Sequence, residues 1–181
     1  MRSITIGLLF SFTFAGCATL TVSSHIERGV NFGEYLTYDW GPLDNLPVGD
    51  PRLDNNPFFR DYVEGTIERY MSAKGYELAI SGQPDLLIHY HASVNQKVDV
   101  QQADQEYGYC YGDCAARVVE FEQGTLVLDI VDAKTSKVIW RGWSQDTMTG
   151  VIDNQQRLEQ QVKEGVIKMM QLLPACGTFV P

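Results

Sequence analysis

Two histidines are the side chains in this sequence whose type and spacing come nearest to a metal site. His89 and His91 lie two residues apart in PDLLIHYHASV, residues 84–94, and alternation along a strand places both on one face. A pair so placed can bind one metal ion, with Asp129 as a third ligand if its strand is adjacent. The alternative is a pair of solvent-facing or partly covered histidines without metal. We favour this metal-free alternative because the third ligand is only inferred. We therefore expect no cofactor.

A second pair of charged residues is Asp129 and Arg141, which we expect to form a structural ion pair rather than an acid–base pair. The sequence has no Gly-rich phosphate-binding loop and no zinc-protease motif. No spacing of carboxylates singles out a glycosidase pair. The chain is therefore predicted to be non-enzymatic, with a metal-binding protein or metal-dependent enzyme centred on His89 and His91 as the alternative.

The most informative cysteine is Cys17, which follows a segment with the layout of an export signal. Residues 1–16 contain Arg2, an apolar run and two small residues, and the run is shorter than the roughly 20 residues that span a bilayer. The stretch FAGC, residues 14–17, resembles the bacterial lipobox, with Phe14 in place of the preferred Leu. The resemblance implies cleavage before Cys17 and lipidation of that residue. The alternative is an ordinary cleaved signal.

The lipobox resemblance also implies a location. A diacylglycerol on the Cys17 sulfur and an acyl chain on its amine would hold the protein on a membrane without crossing it. Ala18, rather than Asp, is typical of lipoproteins passed to the outer membrane. We therefore expect a lipid-anchored protein on the periplasmic face of the outer membrane. Residues 17–30 are predicted to be the lipidated N-terminus with a tether or first strand, and residues 31–181 a single domain.

The charge of the chain excludes one class of partner. The formal charge is −9, and loss of Arg2 with the signal makes it −10. Because the sequence has no cluster of Lys or Arg, we expect neither nucleic-acid binding nor electrostatic docking to anionic lipid.

The remaining cysteines are Cys110, Cys114 and Cys176. The first two are separated by three residues in YGYCYGDC, and an oxidising periplasm favours a local disulfide between them. Two free thiols are the alternative, and the spacing is not that of a redox or zinc pair.

Two segments have the periodicity of amphipathic helices. Asn56 followed by Pro57 predicts an N-cap and a first helical residue, with apolar residues at helical spacing as far as Gly75. The second helix is predicted to begin at Asp153, whose pairing with Gln156 resembles a capping box. Its apolar stripe consists of Leu158, Val162, Val166, Met169, Met170 and Leu173. Both apolar stripes need a sheet to pack against.

Four segments are predicted to be strands: residues 34–42, 84–94, 125–132 and 137–144. In the hairpin formed by the last two, we expect Asp129 opposite Arg141, Ile130 opposite Trp140 and Val131 opposite Ile139. The predicted fold is α+β, a curved, mainly antiparallel sheet with two helices on one face and a long hairpin loop between the central strands. The helices are expected to cover Leu86, Ile88, Tyr90, Leu126, Leu128, Ile130, Val138 and Trp140. The opposite face is expected to carry Leu87, His89, His91, Val127, Asp129, Ile139, Arg141 and Trp143.

Five short blocks carry a resemblance to a family. These are GTLVLD at 124–129, VDA at 131–133, WRG at 140–142, YDW at 38–40 and PDLL at 84–87. Together they resemble the bacterial envelope lipoproteins of the domain-of-unknown-function 4136 family. The resemblance implies a small α+β lipoprotein with helices laid on a curved antiparallel sheet. Because the activity of the family is unknown, it implies no catalytic residue.

The segment 96–123 has an unusual tip. Tyr107, Tyr109 and Tyr111 supply large, rigid contact area of the kind found in recognition loops. The alternative is that these rings pack locally on the edge of the sheet. The leading hypothesis is that the uncovered sheet face and the Tyr-rich loop bind an envelope protein, glycan or lipid, with self-association also possible.

Overall fold

The fold is an open six-stranded sheet with helices on one face, as seen in a computed structural model that describes residues 20–42, 50–101 and 117–180. The spatial order of the strands is β1-β6-β5-β4-β2-β3. The strands are β1 Thr21–Ile26, β2 Thr37–Trp40, β3 Glu77–Leu78, β4 Leu86–Gln101, β5 Arg117–Asp132 and β6 Lys137–Thr147. The helices are α1 Pro51–Asp54, α2 Pro57–Ala73 and α3 Gln155–Leu172. The predicted α+β class is confirmed.

The sheet is mixed rather than wholly antiparallel. Strands β1, β6, β5 and β4 pair antiparallel, whereas β2 runs parallel to both β4 and β3. The chain passes from β2 through α2 before it returns to the sheet, and such a helical crossover brings the next long strand back in parallel. The segment 17–30, predicted to contain a tether or a first strand, contains the edge strand β1.

Helix α2 begins where the sequence predicts. The side chain of Asn56 accepts a hydrogen bond from the backbone N–H of Phe59 at 3.2 Å, and Pro57 occupies the first helical position. For α3 the predicted cap was wrong by one residue. Asn154, with extended backbone, caps the helix by accepting from the Arg157 N–H at 3.1 Å, so Asp153 lies outside the helix.

The core lies between the two long helices and one face of the sheet. Trp140, Leu128 and Ile130 of the sheet are fully buried there. The apolar stripes of α2 and α3 supply the opposing layer, with Val63, Ile67, Met71, Val166, Met169 and Met170 at most 1% exposed. The prediction that the helices cover this face is confirmed for most of its members.

A β-bulge changes the predicted faces at one end of the hairpin. Asp129 lies opposite Arg141 and Ile130 opposite Trp140 as expected, but Val131 lies opposite Val138, which makes Ile139 the extra residue. As a result Val138 is 39% exposed and Ile139 is 4% exposed, the reverse of the prediction.

Candidate functional site

The candidate site is the open face, by which we mean the sheet face opposite the helices. One row of residues crosses four strands in register: His89 of β4, Asp129 of β5, Arg141 of β6 and His25 of β1. At its centre Arg141 donates two hydrogen bonds to Asp129, from Nε at 2.6 Å and from Nη2 at 2.7 Å. The predicted ion pair is therefore present, and its hydrogen bonds raise the pKa of Arg141 above its ordinary value.

A second row lies beside the first. His91, Val127, Trp143 and Ser23 are in register across the same four strands. Trp143 is half-buried, and half of the Arg141 side chain remains exposed. The open face therefore presents a large aromatic ring next to a paired guanidinium, with imidazoles beside the pair.

The predicted metal ligands meet only in part. His89 and His91 share the open face, and β4 and β5 are adjacent, so that His89 lies opposite Asp129. However, both carboxylate oxygens of Asp129 accept hydrogen bonds from Arg141. Within residues 20–42, 50–101 and 117–180 there is no group of three or more His, Cys, Asp or Glu side chains placed to hold a metal ion.

Six of the candidate site residues predicted from the sequence lie outside the described residues: Cys17, Tyr107, Tyr109, Cys110, Tyr111 and Cys114. Cys176 is described, and it is a free, half-buried thiol whose Sγ donates to the carbonyl oxygen of Tyr35 at 3.4 Å. No helix in the described part of the chain is both long and apolar enough to cross a membrane.

The structure also contains a cavity that was not predicted from the sequence. Trp40, Tyr90, Arg60 and Glu64 line a cavity of about 200 Å³ where β2 ends against β4. One feature of the sequence points to part of this cavity: Arg60 and Glu64 are four residues apart, which places both on one side of α2. The two aromatic residues come from separate strands, and only the fold places them nearby.

Comparison with known proteins identifies the family. The model of the domain of unknown function DUF4136 matches residues 22–175. The chain belongs to the DUF4136 family. No curated protein matches this chain.

One of the similar solved structures adds support for the fold. A PDZ domain protein from Parabacteroides distasonis is 19% identical with a TM-score of 0.55, over 85% of this chain and 36% of that one. This chain therefore spans about a third of that protein, and the likeness supports the fold alone. A PelC dodecamer from Paraburkholderia phytofirmans is 12% identical over 86% of this chain and 98% of that one, with a TM-score of 0.46. A neuraminyllactose-binding hemagglutinin homolog from Helicobacter pylori is 13% identical over 77% and 82%, with a TM-score of 0.42. Both of these TM-scores are below 0.5, so neither likeness supports an inference.

The blocks by which this chain resembles DUF4136 proteins have structural roles here. Asp85 of the PDLL block accepts hydrogen bonds from the N–H groups of Leu36 and Thr37 and from the Thr37 hydroxyl, at 2.9–3.0 Å. These bonds hold the pKa of Asp85 below its ordinary value and fix the start of β2. In the WRG block, the indole of Trp140 lies over Gly142, where no side chain would fit. Asp85 and Gly142 of these two blocks therefore help to maintain the fold.

Proposed function

We propose that this DUF4136 protein is a non-enzymatic envelope lipoprotein, anchored by lipid on Cys17 to the periplasmic face of the outer membrane, that binds another envelope protein through its open face. The observation that carries the proposal is the arrangement of Trp143, Arg141 and Asp129 on a sheet face opposite the helices. The lipid anchor and the location rest on residues 1–17 of the sequence.

The side chains of the open face suit a protein partner. Trp, Tyr and Arg are enriched where proteins contact each other, because each supplies a large contact area with directional polar groups. Trp143 stands beside the Asp129–Arg141 pair, and the guanidinium is held by both oxygens of the carboxylate. A partner surface would therefore meet a charged group that is already oriented, at a lower entropic cost than a free Arg side chain.

The proposed anchor places this surface near the membrane. Strand β1 begins at Thr21, four residues after Cys17, and four residues span at most about 14 Å. Because β1 is the edge strand next to β6, a lipid on Cys17 would hold the open face within reach of other proteins on the same membrane. The Tyr-rich loop, with Tyr107, Tyr109 and Tyr111, would supply a second contact region.

The experiment compares co-purification of protein partners with the detergent-extracted lipoprotein and with its Trp143→Ala variant. The matched control is Phe58→Ala, because Phe58 is 66% exposed on α2 and lies outside the open face. A partner found with the wild type is then purified, and its affinity for each form is measured. We expect binding at least about ten-fold weaker for Trp143→Ala, the usual effect of removing a central aromatic contact, and unchanged for Phe58→Ala.

Two results would overturn the proposal. The first is an identical set of partners and identical affinities for wild type and Trp143→Ala. The second is recovery of a purified glycan or lipid as the Trp143-dependent ligand, with no protein bound. Circular dichroism of both variants checks that each remains folded.

A further inference from the structure

The cavity at the end of β2 is separate from the centre of the open face and has its own chemistry. Trp40 is the last residue of β2 and lies opposite Ile88 of β4, and Tyr90 follows two residues later on the same face. The two rings meet nearly at right angles, with centroids 6.0 Å apart and planes at 86°. They therefore form two walls of a corner, and the cavity of about 200 Å³ lies against them.

Helix α2 closes the corner with carboxylates. Tyr90 donates its hydroxyl to Glu64 Oε1 at 3.3 Å, and Trp40 donates its indole N–H to Glu68 Oε1 at 3.2 Å. The spacing of four residues sets Arg60, Glu64 and Glu68 along one side of the helix. These bonds fix the two rings and place one carboxylate at the polar edge of each ring.

The electrostatics of the corner favour a cation. Burial raises the pKa of Glu64, and the neighbouring Glu68 and Asp61 act in the same direction, whereas the Tyr90 hydrogen bond and Arg60 oppose it. A positive ligand group would offset this unfavourable environment of the Glu64 carboxylate. The faces of aromatic rings also attract ammonium groups, and Trp does so most strongly.

Gly41 also lines the cavity, and its lack of a side chain leaves room for a neighbouring residue. The imidazole of His89 occupies the space that a Cβ at position 41 would need, so His89 packs directly on the backbone that follows β2. Any larger residue at position 41 would displace His89 and change the shape of the cavity.

We propose that this cavity binds a small ammonium compound, with its cationic group between Trp40 and Tyr90 and next to Glu64. Arg60, at the exposed edge of the cavity, repels the ammonium group and so opposes binding. The inference is independent of the proposed protein partner, because neither Trp143 nor Arg141 lines the cavity.

The test uses the detergent-solubilised lipoprotein and radiolabelled choline in equilibrium dialysis. The probe of charge is 3,3-dimethyl-1-butanol, which has the shape of choline without its positive charge. We expect saturable binding of radiolabelled choline. The neutral alcohol should displace it at least about ten-fold less well than unlabelled choline does, because the alcohol gains no Coulomb or cation–π attraction.

Charge variants provide a sharper test because they predict opposite signs. Glu64→Gln should weaken choline binding about ten-fold, while Arg60→Gln should strengthen it by removing the nearby positive charge. Glu164→Gln is the matched control, since it is the same substitution at an exposed position on α3 that does not line the cavity. Trp40→Phe, which keeps a ring, should weaken binding by a smaller factor than Glu64→Gln.

Three results would overturn the inference. These are the absence of saturable choline binding, equal competition by the neutral alcohol, and shifts of the same sign for Glu64→Gln and Arg60→Gln. Because both charge variants are conservative changes at half-buried or exposed positions, circular dichroism should show them folded.

Discussion

Replacing Gly142 with Ala tests directly whether the WRG block of this DUF4136 protein is structural. An added Cβ would overlap Cη2 of Trp140 and approach Cζ2 to 2.9 Å. Trp140 is fully buried, so its ring cannot move aside without displacing the core. Inserting a methyl group into a packed core typically costs about 1–3 kcal/mol, and we expect Gly142→Ala to lie in the upper half of that range.

The same contact predicts a coupling between the two positions. Replacing Trp140 with Phe removes the outer ring atoms that the new Cβ would overlap, so the Ala at position 142 should cost less in that background. We expect a coupling of at least about 1 kcal/mol in a double-mutant cycle, with the double variant more stable than the sum of the single effects predicts.

Urea unfolding followed by circular dichroism measures these free energies of unfolding. A loss of about 2 kcal/mol should also lower the melting temperature by roughly 4–8 °C for a domain of this size. The control is Gly65→Ala on α2, where an added Cβ meets nothing within 4 Å. That variant should be more stable than wild type by about 0.5–1 kcal/mol, because Ala favours a helix.

Either of two outcomes would refute this reasoning. One is a Gly142→Ala protein as stable as the wild type. The other is a full loss of stability that Trp140→Phe does not reduce. In both cases the close packing of the indole on Gly142 would not be the reason for a glycine at this position.

Three further predictions follow from individual contacts. Asp85→Asn should lower the free energy of unfolding by roughly 1–3 kcal/mol at neutral pH, as measured by urea unfolding. Because the folded-state pKa of Asp85 is lowered, this contribution disappears as the pH falls below about 4. A difference in stability between wild type and variant that stays constant down to acid pH would contradict this prediction. Asn154→Ala should cost about 1 kcal/mol, and Asp153→Ala clearly less, since only Asn154 caps α3; equal losses would place the cap wrongly. Replacing both Asp129 and Arg141 with Ala should change stability by less than about 1 kcal/mol, as for other ion pairs at a protein surface, and a loss clearly above that value would contradict this expectation.

Much of the fold follows from local patterns in the sequence. Alternation in residues 84–94 predicts which side chains of β4 face the helices, and the Asn56-Pro57 pair predicts the start of α2. The ion pair between Asp129 and Arg141 follows from the short hairpin turn, because two adjacent strands with a tight turn have few registers.

Other features depend on parts of the chain that are distant in sequence. The segment TVSSHI at 21–26 contains only two apolar residues, Val22 and Ile26, and its strand depends on pairing with β6. The bulge at Ile139 depends on the geometry of the hairpin end, where Ser136 has a φ of 56°. The cavity requires Trp40, Glu64 and Tyr90, which the parallel crossover through α2 brings together.

The most direct test of the proposed lipoprotein is the intact mass of the protein extracted with detergent from its native membrane. We expect a chain that begins at Cys17, without residues 1–16, with the added mass of a diacylglycerol and an acyl chain. Elemental analysis of the same sample should detect no stoichiometric metal. A chain cleaved at the same place but without lipid, or one that keeps its first 16 residues, would contradict the proposed anchor and the location inferred from it.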